Sequence, residues 1–81
     1  MDRVINAVLK WYDEEEPWEK LTADKVKIVW YSKCLKNWKA TAINIDRAGS
    51  EYFEITYNGE TEEIYIDRYI KESHRVFKED E

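Results

Sequence analysis

The spacing of apolar residues along the chain switches from a helical period to an alternating one and then back. Over residues 2–15, Val4, Ile5, Val8, Leu9 and Tyr12 recur at intervals of three and four, with Trp11 at the edge of the stripe. That spacing predicts an amphipathic helix with one broad apolar face. The helix should end near Glu15 or Glu16, because Pro17 disfavours the helical conformation of the residue before it. A connector from Pro17-Trp18 to about Lys25 follows. In it Trp18 is expected to tuck against the helix or a sheet edge, and Thr22 to cap a single helical turn.

Alternation takes over at Val26. Val26–Ser32 reads as a first strand, with Val26, Ile28 and Trp30 on one face and Lys27, Val29 and Tyr31 on the other. Lys33–Asn37 is a loop, and Trp38–Ile45 is a second strand. Its faces admit two readings. Either Trp38, Ala40 and Ala42 lie under a helix, where small side chains allow close packing, or Thr41, Ile43 and Ile45 face inward. Asp46–Ser50 is a turn with Gly49 available for a left-handed position. The stretch Glu51–Ile70 then reads as a hairpin around Asn58-Gly59, the residue pair that best tolerates a two-residue type I′ turn. Such a turn sets Tyr57 opposite Glu60, Phe53 opposite Ile64, Glu54 opposite Glu63 and Tyr52 opposite Tyr65. Phe53, Ile55, Tyr57, Ile64 and Ile66 then share a core face.

A helical period returns from Asp67 to about Lys78, where Tyr69, Ile70, Ser73, His74 and Phe77 fall near one face; Glu79-Asp80-Glu81 is a terminal tail. The fold class expected is therefore α+β: an N-terminal helix, a four-stranded antiparallel meander and a C-terminal helix. Both helices lie on one face of the sheet, in a single small domain spanning 1–81. The opposite face, with Tyr52, Glu54, Thr56, Glu63 and Tyr65, is open to solvent or to a partner. Glu54 opposite Glu63 is a like-charge pair, which Lys39 on the adjoining strand is placed to offset.

Composition supports a folded domain with a modest core. The chain is 43% hydrophobic, and its mean hydropathy of −0.80 comes from abundant charge and from amphipathic Tyr and Trp. Four Trp and six Tyr favour interfaces as well as cores. The net charge of −5 disfavours nonspecific attraction to nucleic acid or to an anionic membrane. Charge is segregated, however: residues 20–39 carry six lysines against Asp24 alone, between two acidic flanks. That arrangement implies internal charge complementarity first and a binding patch second. A single cysteine, Cys34, rules out an internal disulfide and suits a reducing cytoplasm. No apolar run reaches transmembrane length, and no membrane association is expected.

Nothing in the pattern identifies a reaction. His74 is the lone histidine, and no nucleophile, base and orienting group are spaced as a triad requires. There is no Cys/His cluster for a metal, the glutamates at 60, 62 and 63 do not make a calcium loop, and two glycines do not make a phosphate loop. No enzyme activity and no cofactor are expected. Asp13–Glu16 opposes the helix macrodipole, so it is read as a solubilising end or as an acidic contact patch.

The segments VKIVWYSKCLKNWKA (26–40) and EYFEITYNGETEEIYIDRYIK (51–71), with the short N-terminal helix, resemble a family of small uncharacterised proteins from phages and prophages of Gram-positive bacteria. The matching residues are Val29-Trp30, Lys33, Leu35, Asn37, Tyr52, Glu54, Thr56, Tyr57, Asn58, Gly59, Ile64, Tyr65 and Asp67. The resemblance implies a small phage accessory protein acting in the bacterial host cytoplasm. It brings no catalytic or binding residues with it. The function expected is non-enzymatic binding and modulation of a host protein, interference with a bacterial defence system being one such role. Tyr52, Glu54, Glu63, Tyr65, Trp30, Trp38, Lys36 and Lys39 are the partner-binding candidates. The alternatives are a nucleic-acid-binding module using Lys25, Lys27, Lys33, Lys36 and Lys39 with the nearby aromatics, an acidic DNA mimic, and a homodimer that buries the open sheet face.

Overall fold

The computed structural model describes residues 2–72 together with 75, 77 and 78. Helix α1 spans Asp2–Glu15, and four strands follow: β1 (Val26–Cys34), β2 (Asn37–Asn44), β3 (Glu51–Asn58) and β4 (Glu63–Ile70). The strands form one antiparallel sheet in the order β1-β2-β3-β4, with α1 packed across one face. The α+β class and the meander are as expected.

The core is the apolar stripe of α1 laid on alternate residues of the inner strands. Val4, Val8 and Tyr12 meet Val26, Trp38, Ala40, Ala42, Phe53 and Ile55, all buried. Ala40 and Ala42 are fully buried because they let the helix approach β2 closely. This settles the face of β2: Trp38, Ala40 and Ala42 lie under the helix, and Thr41 and Ile43 face away. Aromatic edges fill the rest. Trp11 meets Phe53 at 5.1 Å and Tyr12 meets it at 5.6 Å, both edge to face. Trp38 stacks on Tyr57 at 5.6 Å, and the Arg3 guanidinium closes that end of the core 4.1 Å above Tyr57.

Several expectations are corrected. The second helix does not begin at Asp67. Residues 67–70 continue β4, because the first residues of β3 need ladder partners: Glu51 pairs with Ile70, Tyr52 with Tyr69, Phe53 with Arg68 and Glu54 with Asp67. The Lys71 N–H extends the ladder to the Ser50 carbonyl at 2.8 Å. Lys71 and Glu72 are not helical, and the remainder of the predicted helix, including Ser73, His74 and Val76, lies outside the described residues apart from 75, 77 and 78, none of them helical. One helix, not two, covers the sheet among the described residues. Between α1 and β4 runs a groove of about 490 Å³ that includes Ala7, Trp11, Ile64 and Ile66.

The hairpin turn is also longer than two residues. Asn58 pairs with Glu63, so Gly59–Glu62 form the loop. Glu62, not Asn58 or Gly59, takes the positive φ, at 58°. The Asn58 side-chain oxygen accepts from the Glu60 N–H at 3.0 Å, holding a local turn that competes with the two-residue one. Each pairing moves four positions along β4, an even number, so Phe53, Ile55, Tyr57, Ile64 and Ile66 still share a face. The expected Lys33–Asn37 loop shrinks to a two-residue turn at Leu35-Lys36, with Leu35 at φ 55°.

On β1 an irregularity at Val29 shifts the pairing between Ile28 and Trp30. The alternation reverses there. Val26 and Ile28 face the helix as read, but Trp30 turns to the open face and Tyr31 to the helix face, where its ring lies 5.9 Å from Trp38. The expected turn after Thr22 forms as a 3-10 turn over Ala23–Lys25, but the Thr22 side chain does not cap it. Trp18 does not tuck in and is 69% exposed, in a 3-10 turn over Pro17–Glu19. Ile45 leaves the sheet and opens a 3-10 turn over Ile45–Arg47, which the Asn44 side chain caps by accepting from the Asp46 N–H at 3.0 Å. Gly49 takes the left-handed conformation anticipated for it, at φ 89°.

Candidate functional site

Two places gather polar chemistry. The first is buried. Glu51, 4% exposed on the helix face of β3, receives Arg68 through Nε at 2.7 Å and Nη2 at 2.6 Å. Arg47 reaches it at 3.5 Å, and the Tyr12 hydroxyl donates to its other oxygen. Arg47 also holds Glu16 at 3.0 Å and Glu19, while the Arg68 guanidinium lies 5.0 Å from the Trp11 ring centroid. Glu16 is therefore the end of the acidic run that has a structural task; Asp13, Glu14 and Glu15 remain exposed. Burial and the Glu51 hydrogen bond push the Tyr12 hydroxyl up to about 12. This cluster ties the end of α1 to β3, β4 and the Ile45–Arg47 turn. Every buried side-chain polar atom among the described residues has a partner, so the cluster offers no unsatisfied group to a ligand.

The second place is the open face of the sheet, opposite α1. Strand pairing builds rows across it. One row runs Trp30, Thr41, Glu54, Asp67, and the next runs Ser32, Lys39, Thr56, Tyr65. Tyr52 and Tyr69, directly paired, stack with ring centroids 5.0 Å apart and planes 13° from parallel. Trp30, Tyr52, Tyr65 and Tyr69 are each exposed by roughly half. Lys39 forms an ion pair with Glu54 at the centre. The like-charge pair anticipated for Glu54 exists, but its partner is Asp67 rather than Glu63, and Lys39 is the lysine that offsets it. The hydrogen bond to Glu54 raises the Lys39 ammonium above its usual range, and the Glu54 charge raises the Tyr69 hydroxyl. The Tyr65 hydroxyl donates to Glu63 at 3.0 Å, which raises it likewise.

Of the residues singled out from the sequence, the face thus unites Trp30, Lys39, Tyr52, Glu54 and Tyr65, with Glu63 at its margin. It excludes Trp38, which is 6% exposed beneath the helix. Lys36 sits apart, at the β1–β2 turn, where it packs against Gly59. Tyr69 and Asp67 also belong to this face, which a helix starting at Asp67 does not predict. Their signal was present: Tyr65, Asp67 and Tyr69 recur every second residue, the period of a strand.

The lysines of the basic middle segment do not form one patch. Lys25 pairs with Asp46 at 3.4 Å and Lys39 with Glu54, as internal complementarity requires. Lys27, Lys33 and Lys36 make no ion pair among the described residues. Cys34 is exposed at the end of β1, and His74 lies outside the described residues. Among the described residues no group of three or more His, Cys, Asp and Glu is placed to hold a metal ion, and no helix is long and apolar enough to cross a membrane.

No curated protein and no solved structure matches the chain. A family match does exist, and it runs over residues 1–79, taking in α1, the whole sheet and the segment beyond β4. This chain belongs to the family of unknown function DUF6275.

Proposed function

We propose that this protein is a non-enzymatic, phage-type accessory protein that binds a host protein in the bacterial cytoplasm and modulates it, with the open face of the sheet as its recognition surface. Interference with a defence system is one role of that kind. The observation that carries the binding reading is the collection of Trp30, Tyr52, Tyr65 and Tyr69, each about half exposed, around the Lys39–Glu54 pair on the face that α1 leaves uncovered. Rigid aromatic side chains on a sheet lose little entropy on binding and supply large contact area, which is why they concentrate at interface centres. The phage setting rests on the sequence resemblance alone.

The test is a pull-down from host lysate with the native chain and with a Tyr52→Ala/Tyr69→Ala variant shown by circular dichroism to be folded. The native chain should retain a host protein in stoichiometric amount, and the variant should lose it. Recovery of no stoichiometric protein, or equal recovery by both chains, removes the reading. A nucleic-acid role is less well supported, because two of its five lysines, Lys25 and Lys39, are already paired with carboxylates. Binding of DNA or RNA at low salt that weakens steeply as salt rises would restore it.

A further inference from the structure

The longest strand, β1, is an edge of the sheet. Residues 29–34 are all exposed, and no described strand pairs with their outer side. Proteins usually blunt such an edge with a bulge, a proline or a covering element. Here α1 covers only the start of the strand, at Val26 and Ile28, and the irregularity at Val29 re-aims the chain just beyond. From Trp30 to Cys34 the ladder with β2 is regular again. The outer side of that stretch presents backbone N–H and C=O groups in alternation. Trp30 stands on the open face and Tyr31 on the helix face, so a strand laid alongside would meet an aromatic ring on either face. Lys33 lies within the stretch and Lys27 and Lys36 flank it, none with an ion-pair partner among the described residues.

Those features decide between occupants. We propose that the Trp30–Cys34 edge accepts an extended acidic segment of a partner protein by strand addition. This rests on the protein-binding reading above and names the chemistry of the partner. An alternating row of donors and acceptors matches another peptide backbone. A phosphodiester chain offers only acceptors, so the carbonyls of the edge would face oxygen atoms. Pairing of β1 with β1 of a second copy sets two basic edges together, with no carboxylate on either strand to offset Lys27 and Lys33. Pairing of β1 with β4 of a second copy has favourable charge, through Glu63 and Asp67, but repeats head to tail and polymerises.

The experiment titrates a capped eight-residue peptide of alternating Val and Glu into the isotope-labelled full chain at low salt, following backbone amide shifts and hydrogen exchange. Shifts and exchange protection should be confined to residues 29–34 and their β2 neighbours. They should vanish when alternate peptide nitrogens are methylated, and the Val/Lys counterpart should bind at least about tenfold more weakly. Lys33→Glu, checked by circular dichroism, should weaken the Val/Glu peptide by about tenfold. The proposal is overturned by an absence of shifts on β1, or by shifts that survive N-methylation. Equal shifts from an oligothymidylate, or polymerisation of the chain without peptide, overturn it as well. Shifts confined to Tyr52, Tyr65 and Tyr69 remove strand addition while leaving the open face as a binding surface. Conversely, strand addition seen together with equal host-protein recovery by the native chain and the Tyr52→Ala/Tyr69→Ala variant removes the open face as the site and keeps the edge.

Discussion

Glu51 carries a charge in the apolar layer, and the residues around it show how that is tolerated. Two guanidinium groups and a tyrosine hydroxyl occupy its oxygens, and the guanidinium groups share Glu16 as a second carboxylate. Removing the charge while keeping the shape leaves Arg47 and Arg68 short of their buried partner. Glu51→Gln should therefore cost about 2–3 kcal/mol in a urea denaturation, below the full cost of orphaning a buried charge because both arginines reach solvent and retain Glu16. Tyr12 gives a second, pH-dependent readout. Its hydroxyl ionises at about 12 in the fold against about 10 in an unfolded chain, so folding favours the protonated form. That contribution is fully present below about pH 10 and is lost as pH rises through about 12. Denaturation midpoints followed from pH 9 upward should fall more steeply in the native chain than in Tyr12→Phe, which lacks the ionising group.

The two hairpins hold each other's geometry, which is why the longer loop wins over the two-residue turn. Gly59 lies so close to Lys36 that a Cβ there would overlap its backbone carbonyl and its own Cβ, and the Gly59 N–H donates to the Asn37 side chain at 2.8 Å. Glycine is needed at 59 for that approach and not for a left-handed φ, which Glu62 supplies instead. Gly59→Ala should accordingly destabilise the fold by about 2 kcal/mol, through overpacking between turns, as measured by thermal unfolding. On β1 the irregularity at Val29 has the larger consequence for the open face. It carries Trp30 from the helix side to the open face, where it joins the tyrosines of β3 and β4.

At the scale of the whole molecule, the described residues share one core. The apolar side chains of α1 are buried against the sheet, with Leu21 of the connector packed on the same core, and the ion network fastens the helix end to β3 and β4. Helix and sheet should therefore unfold together. Tryptophan fluorescence and far-ultraviolet circular dichroism should give coincident urea transitions, and separated midpoints would show that the helix melts independently. The polarity of the molecule also follows from one helix lying on four strands among the described residues. Everything α1 covers is core, and what it leaves open is a mixed aromatic and charged face bounded by the basic β1 edge.

The sequence by itself determined the helix and its buried stripe, the presence and order of four strands, and the sorting of the β3–β4 hairpin into a core face and a tyrosine-and-acid face. These depend on periodicity, and a register change of four positions preserves the parity on which the sorting rests. Lys39 as the counter-charge for Glu54 was legible for the same reason, since it required only that the two share a face. Tertiary contacts decided the rest. The loop lengthened because Gly59 packs on Lys36, a residue 23 positions away that no local pattern at Asn58-Gly59 reports. Residues 67–70 became strand because the start of β3 lacked partners and Arg68 had a buried carboxylate to meet. Their apolar spacing suited a helix and a strand alike, and pairing across the sheet decided between them.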